Sequence, residues 1–366
     1  LANTDKLNLF KQEVAGMGLR LLPPDINRSD VAFAVERDNG DDGAIRYALA
    51  AIKNVGQEAM RALVAERAAK GAFKDIWDLA GRLDPRQVNK RQLENLARAG
   101  AFDDLDGNRA RIMAAAEMLL RHASSAADER ETGQGNMFGD ESAAVEPPHR
   151  LPEVPEWPQL EKLANEAEAI GFYLSAHPLE SYPALLAREG MVSYAELAER
   201  AAAGGSQFRI AATVETKTER KSAKGNPYAF VRCSDPTGIF EVAVFGEDLS
   251  VSRDLLEAGR SVVMTVDARP DGEGSRLIAS NIVDVEEASL AAGGGIRVFL
   301  KDRDPLASLH KILQDKQSGR GRVTLHLALD GGGREVEVAL PGGFAISPQV
   351  RGALKAIPGV VDVHDA

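Results

Sequence analysis

The sequence predicts a multidomain α+β protein, and three observations carry that reading. Residues 46–122 show helical spacing throughout, punctuated by Gly56, Gly71, Gly81, Asp84-Pro85, Gly100 and Gly107. Residues 207–288 alternate apolar and polar side chains in the order three strands, a helix, two strands. Residues 296–366 alternate strand and helix patterns around a Gly331-Gly332-Gly333 turn.

Taken in order, residues 1–45 open with a helical pattern that ends near Gly18, and Leu21-Leu22-Pro23-Pro24-Asp25 then stops any helix. After the helical block of 46–122, residues 123–158 read as a flexible linker rich in Ser, Ala, Asp, Glu and Pro, with almost no periodic apolar pattern. A helical connector over 159–206 begins with a helix at 159–172. The next block carries Ile210, Ala212 and Val214, then Tyr228 to Val231, then Ile239 to Phe245, followed by a helix near 247–258 and strands at 262–266 and 277–279. That order is the order of an OB-fold barrel, a fold that commonly binds single-stranded nucleic acid. Past an Ala291-Ala292-Gly293-Gly294-Gly295 linker, strands at 296–300, 322–329, 335–340 and 359–363 and helices at 304–315 and 348–356 predict a small α+β domain.

Composition excludes several classes. A content of 44% hydrophobic and 27% charged residues over 366 positions is ordinary for a soluble chain. One cysteine, Cys233, leaves no disulfide framework or multi-cysteine metal site. No run approaches the ~20 apolar residues of a membrane span, and Leu1-Ala2-Asn3-Thr4-Asp5 lacks the regions of a signal peptide. The expectation is a cytoplasmic chain with no membrane partner and, since it opens on Leu1, a piece of something longer. No phosphate loop and no His-Glu-x-x-His occurs. Asp103-Asp104-Leu105-Asp106 has the composition of a two-metal site but sits in a helical hairpin, where such residues usually cap helices. No catalytic residue and no metal site is therefore expected.

Charge is distributed unevenly. The net charge is −11, yet residues 46–122 carry 14 Lys and Arg against 10 Asp and Glu, a net of +4. Residues 123–170 carry 3 against 11, a net of −8. A locally basic module in an acidic chain suits a confined phosphate contact.

The sharpest motif is Ala51-Ile52-Lys53-Asn54-Val55-Gly56-Gln57-Glu58-Ala59, between an apolar helix end and a new helix start. It matches a helix–hairpin–helix: Gly56 would let the backbone approach a phosphate, amides opening the second helix would face it, and Lys53 would add an ionic contact. The alternative is a plain glycine cap followed by another helix. Such hairpins come in pairs, and Leu96 to Phe102, with Arg98 and Gly100, is the second candidate. In the linker, Gln134-Gly135-Asn136-Met137-Phe138 is an apolar island suited to a partner's pocket or to folding back on its own chain. In the barrel, Lys217, Arg220, Lys221 and Lys224 crowd the turn between the first two strands, and Tyr228 and Phe230 share one strand face, either to stack on bases or to fill the core.

Along its whole length the chain resembles one family, the bacterial replicative DNA polymerase III alpha subunits, in their C-terminal portion. The resemblance is carried by Leu22-Pro23-Pro24-Asp25-Ile26-Asn27-Arg28-Ser29, Ala44-Ile45-Arg46-Tyr47, Ile52 to Gly56, Val88-Asn89-Lys90-Arg91, Arg98 to Asp103, and Gly171-Phe172-Tyr173-Leu174-Ser175-Ala176-His177-Pro178-Leu179. It implies that 1–45 ends a fingers domain and that 46–122 is a tandem helix–hairpin–helix on duplex DNA. Lys53, Asn54, Gly56, Gln57, Lys90, Arg91, Arg98 and Gly100 would be contacts there. It implies further that Gln134–Phe138 engages the beta sliding clamp, that the barrel lies near single-stranded template, and that 296–366 meets the tau subunit of the clamp loader. The clamp pentapeptide departs in its Gly135-Asn136 pair, where the family varies. Linker peptide and tail together favour the replicative subunit over its error-prone paralogue. A complete member is a DNA-directed DNA polymerase whose palm domain holds Mg2+ on aspartates, and no segment here substitutes for that palm. The rival expectation is a free-standing DNA-binding adaptor built from the same modules.

Overall fold

The structure is a computed structural model that describes residues 10, 13, 14, 16–36, 43–132, 150–222, 225–271, 274–317, 319–329 and 334–365. The chain divides into two compact units, Leu1–Ala176 and His177–Ala366.

The first unit opens on a small sheet. Strands β1 (Arg20–Leu22), β2 (Ala34–Glu36) and β3 (Ala44–Arg46) pair in the order β1-β3-β2, with β1 parallel and β2 antiparallel to β3. Three-residue strands are too short to show alternation, so the sequence pattern gave no strand here. Behind the sheet, Tyr47 is fully buried and meets Phe33 and Phe172 edge-on at 5.0 and 6.3 Å. After a short 3-10 turn at Leu49–Ala51 come α1 (Gln57–Lys70), α2 (Ile76–Arg82), α3 (Lys90–Arg98), α4 (Arg109–Thr132) and α5 (Gln159–Ile170). Each start has its cause. Asp75 accepts the amides of Trp77 and Asp78, and Asn89 with Gln92 forms a reciprocal capping box on α3. Leu63, Leu79, Leu96, Ile112, Leu119 and Ile170 meet in one core, each buried side chain contributing about 1.5–3 kcal/mol.

Two expected boundaries move. The linker expected over 123–158 is helical to Thr132, because the Ala-rich run of α4 favours helix and Ala123 packs fully buried. At its other end, residues 150–158 are docked: Asn108 donates to the Val154 carbonyl at 2.7 Å, and the Glu156 carboxylate accepts the amides of Arg109 and Ala110 at 3.1 and 3.4 Å. Glu156 thus caps α4 from a distance of 46 residues, which no local pattern reveals. The connector of 159–206 is likewise split, since α5 joins the first core while the residues from His177 onward belong to the second unit.

In the second unit α6 (Pro183–Leu186) and α7 (Tyr194–Ala202) lead into a closed barrel of β4 (Gln207–Lys221), β5 (Pro227–Asp235), β6 (Gly238–Phe245), β7 (Ser261–Asp271) and β8 (Gly274–Asp284), with α8 (Gly246–Ser252) between β6 and β7. The order β4-β5-β6-β8-β7, closed by the β4–β7 pair and with β6 parallel to β8, is the OB-fold. Ile210, Ala229, Val231, Cys233, Val242, Val244, Met264 and Val266 fill it, and burial pushes the Cys233 thiol far up from its ordinary range. His177 ties the start of this unit to β5, its Nδ1 accepting the Leu179 amide and its Nε2 lying 3.1 Å from the Ser234 hydroxyl.

Helix α9 (Val285–Ala292) leads to the last domain, in which β9 (Ile296–Leu300), β10 (Val323–Leu329), β11 (Arg334–Ala339) and β12 (Val360–Asp365) form a sheet of order β11-β10-β9-β12. Helices α10 (Leu306–Gln314) and α11 (Pro348–Lys355) bury Leu309, Leu313, Val350 and Leu354 against Ile296, Val298 and Leu300. This matches the alternation read from the sequence nearly element for element.

Candidate nucleic-acid interface

The first hairpin turns at Asn54. That residue takes the left-handed conformation, φ 60°, which Asn tolerates better than most side chains. Gly56, expected to make the turn, has an ordinary φ of −73° and sits at the N-cap of α1 with no side-chain cap. Its smallness serves another purpose, because a Cβ there would lie 2.9 Å from Nε2 of Gln92. The Lys53 amide donates to the Ala169 carbonyl at 2.8 Å, tying the turn to the end of α5. Lys53, Asn54 and Gln57 are all exposed.

Gly100 of the second hairpin does have a positive φ, +80°, but it is buried, and the Arg109 guanidinium fills the space in front of it. Arg109 is held by Asp103 at 2.7 Å and stands 3.5 Å from Glu166. Glu166, fully buried, accepts the amides of Leu174 and Ser175, both at 2.8 Å. The expected phosphate approach at Gly100 is thus replaced by an internal ionic knot, and Gly100 is there to admit an arginine. The Asp103-Asp104-Leu105-Asp106 run is consumed similarly: Asp103 on Arg109, Asp106 on Arg111 at 2.6 Å, and Asp104 3.9 Å from Arg28. Among the described residues no group of three or more His, Cys, Asp or Glu is arranged to hold a metal ion.

The two hairpins nevertheless share a surface. Lys90, Arg91, Glu94 and Arg98 lie along one stripe of α3, and they line an open cleft of about 500 Å3 together with Asn54 and, from α5, Glu168. Arg98 pairs with Glu168 at 2.9 Å and Lys90 with Glu117 at 3.6 Å, whereas Arg91 and Lys53 have no ion-pair partner among the described residues. Four residues singled out from three separate sequence motifs, Asn54, Lys90, Arg91 and Arg98, therefore converge. Glu168 was not foreseen, since only the docking of α5 brings it near.

On the barrel, the basic residues expected in a turn stand on strand β4 instead, because β4 continues to Lys221 in register with β5: Lys217 opposite Val231, Arg220 opposite Tyr228, Lys221 opposite Pro227. Their fates differ. Lys217 is committed to Glu257 at 2.6 Å, with Glu219 at 3.6 Å and the Arg253 carbonyl at 3.2 Å. Arg220 lies over the Phe230 ring, 5.7 Å from its centroid, and Lys221 is exposed. Lys224 falls outside the described residues. Strand parity settles the aromatic pair, for Ala229, Val231 and Cys233 point into the barrel and Tyr228 and Phe230 point out. Tyr228 meets Phe230 edge-on at 5.5 Å and stacks on Phe245 at 5.7 Å, and Arg276 covers Phe245 at 5.9 Å. The result is a half-buried ladder of three rings capped by an arginine at each end. Phe245 and Arg276 were missed in the sequence, although the outward parity of Phe245, opposite to Val244, was legible there. Residues Gln134, Gly135, Asn136, Met137 and Phe138 lie outside the described residues.

Residues 18–112 match a family described as helix-hairpin-helix motif. The DNA polymerase III subunit alpha of Caulobacter vibrioides is 43% identical over 367 residues, covering all of this chain and 31% of that protein. The same subunit from Neisseria meningitidis serogroup A is 31% identical over 87% of this chain and 27% of its own length. That of Bacillus subtilis is 35% identical over 71% of this chain and 22% of its own length. The chain thus spans less than a third of the relatives it matches. Among solved structures, the mitochondrial single-stranded DNA binding protein Rim1 of S. cerevisiae is 23% identical over 22% of this chain and 93% of its own, with a TM-score of 0.20. No helix among the described residues is long and apolar enough to cross a membrane.

Proposed function

We propose, from a similarity that covers all of this chain in one DNA polymerase III alpha subunit and 87% and 71% of it in two others, that it is the DNA-holding and partner-binding C-terminal part of such a polymerase. The whole protein would be a DNA-directed DNA polymerase of the cytoplasm, with its Mg2+ held by a palm domain that this chain does not supply. The duplex contact is the cleft between hairpin and α3. The observation that carries it is the convergence of Asn54, Lys90, Arg91 and Arg98 on one open concavity, beside an α1 N-terminus that no side chain caps among the described residues. The single-strand contact is the outward face of β5 and β6, where Tyr228, Phe230 and Phe245 offer ring faces and Arg220 and Arg276 offer charge. Gln134 to Phe138 would be the sliding-clamp peptide, and residues 296–366 the clamp-loader contact through tau.

Titration of duplex DNA across a series of salt concentrations tests the cleft. Lys53→Ala and Arg91→Ala are each expected to weaken binding without sequence preference and to reduce the slope of log K against log salt by about 0.9. If neither changes duplex affinity, residues 46–122 are structural helices only.

A further inference from the structure

We propose that Glu168 is an internal stand-in for a phosphate, holding Arg98 until a DNA strand displaces it, so that duplex binding in the cleft proceeds by exchange of a carboxylate for a phosphodiester. This rests on the reading of the cleft as a duplex contact and assigns it a built-in regulator.

The pair joins helices 70 residues apart in sequence, with Arg98 Nη1 2.9 Å from Glu168 Oε1. The arginine side chain is 22% exposed and the glutamate 65%, so the cation is walled in and the carboxylate is the partner able to swing into water. Glu168 takes one N–H of the guanidinium, through Nη1, and a phosphodiester, which accepts parallel N–H groups side by side, can use more. An ion pair open to solvent on one side contributes little to stability, so the exchange is not blocked. Lys90, at the other end of the stripe, is paired more loosely, 3.6 Å from Glu117, and both partners are open to water, 55% and 70% exposed. Lys53 and Arg91 stand open. Of the three cations that line the cleft, Arg91 is open to any anion while Lys90 and Arg98 must first leave a carboxylate, so a ligand that brings several phosphates gains more from the exchange than a lone one.

The test uses the 366-residue chain and a duplex titrated across salt concentrations. Glu168→Gln is expected to tighten duplex binding about twofold to fivefold at low salt and to steepen the salt slope by about 0.9. In an Arg98→Ala background the same substitution is expected to gain no more than Glu94→Gln, which removes an equal charge from the same cleft without breaking an ion pair among the described residues. Equal gains from Glu94→Gln and Glu168→Gln, or an undiminished gain from Glu168→Gln in Arg98→Ala, would mean general repulsion and overturn the exchange. A neutral Glu168→Gln beside weakened Lys53→Ala and Arg91→Ala overturns the exchange and leaves the duplex reading standing. If no substitution has an effect, the duplex reading itself falls.

Discussion

Nε2 of Gln92 occupies the space in front of Gly56, 2.9 Å from where a Cβ would stand. Because Gln92 also closes the capping box on Asn89, accepting the Asn89 amide at 2.8 Å, the first hairpin and the start of α3 are packed through a missing side chain. Gly56→Val is expected to displace Gln92 and cost about 1–3 kcal/mol. Duplex affinity should fall with it, since Lys90 and Arg91 open the displaced helix. Thermal unfolding and duplex titration on the same preparation check both, and an unchanged melting temperature would show that Gln92 yields without consequence.

The barrel face separates two kinds of lysine and aromatic. Tyr228→Ala and Phe230→Ala are each expected to weaken single-strand binding by about 1–3 kcal/mol with the barrel intact, since both rings point away from its core. Lys217→Ala is expected to have little effect on that binding, because its ammonium already serves Glu257 and Glu219. Circular dichroism and titration with an oligonucleotide decide the matter. A barrel that unfolds when Phe230 is cut back would return the ring to a core role.

Glu36 supplies the pH dependence. The Arg46 guanidinium, 2.6 Å away and nearly buried, holds its carboxyl below the ordinary range, with Arg28 adding to the effect. A carboxyl lowered on folding stabilises the fold above its unfolded value and loses that contribution as pH falls through the folded one. Glu36→Gln is therefore expected to lower the melting temperature of the first unit near neutral pH. The difference should close as the solution is taken below the ordinary carboxylate range. A difference independent of pH would mean that lost packing, not charge, is responsible.

Much of this was legible beforehand, and the exceptions have a common cause. The α+β alternation of 296–366 and the barrel order were read directly, because period-two and helical patterns are local and long. The missed features depend on residues far apart or on elements too short to repeat: the three-residue strands around Ile45, the capping of α4 by Glu156, and the filling of Gly100 by Arg109. The turn at Asn54 was misassigned to Gly56 because glycine is the usual signal for a left-handed backbone and Asn an infrequent one. Tyr228 and Phe230 were visibly on one face of a strand, but which face is inside depends on the pairing partners.

Met137 and Phe138 carry the clamp prediction. Burying both in an apolar pocket offers roughly 1.5–3 kcal/mol each before ordering costs. The double substitution Met137→Ala with Phe138→Ala is expected to abolish clamp binding while fold and DNA affinity persist. A synthetic peptide of residues 132–140 should compete. Native clamp affinity in the double variant would move the contact elsewhere, most simply to 296–366.

Primer extension by this chain alone, with Mg2+ and all four nucleotides, is expected to be nil. Metal-dependent incorporation would overturn the assignment of catalysis to a separate palm.

Helix α4 is about 36 Å long at 1.5 Å per residue, and both its ends are moorings. The chain leaves it at Thr132 and is fastened again at its beginning, through Val154 on Asn108 and Glu156 on Arg109. Thr132 and Val154 thus stand at opposite ends of one helix, and a force applied to the chain at both points is shared between the two ends of α4.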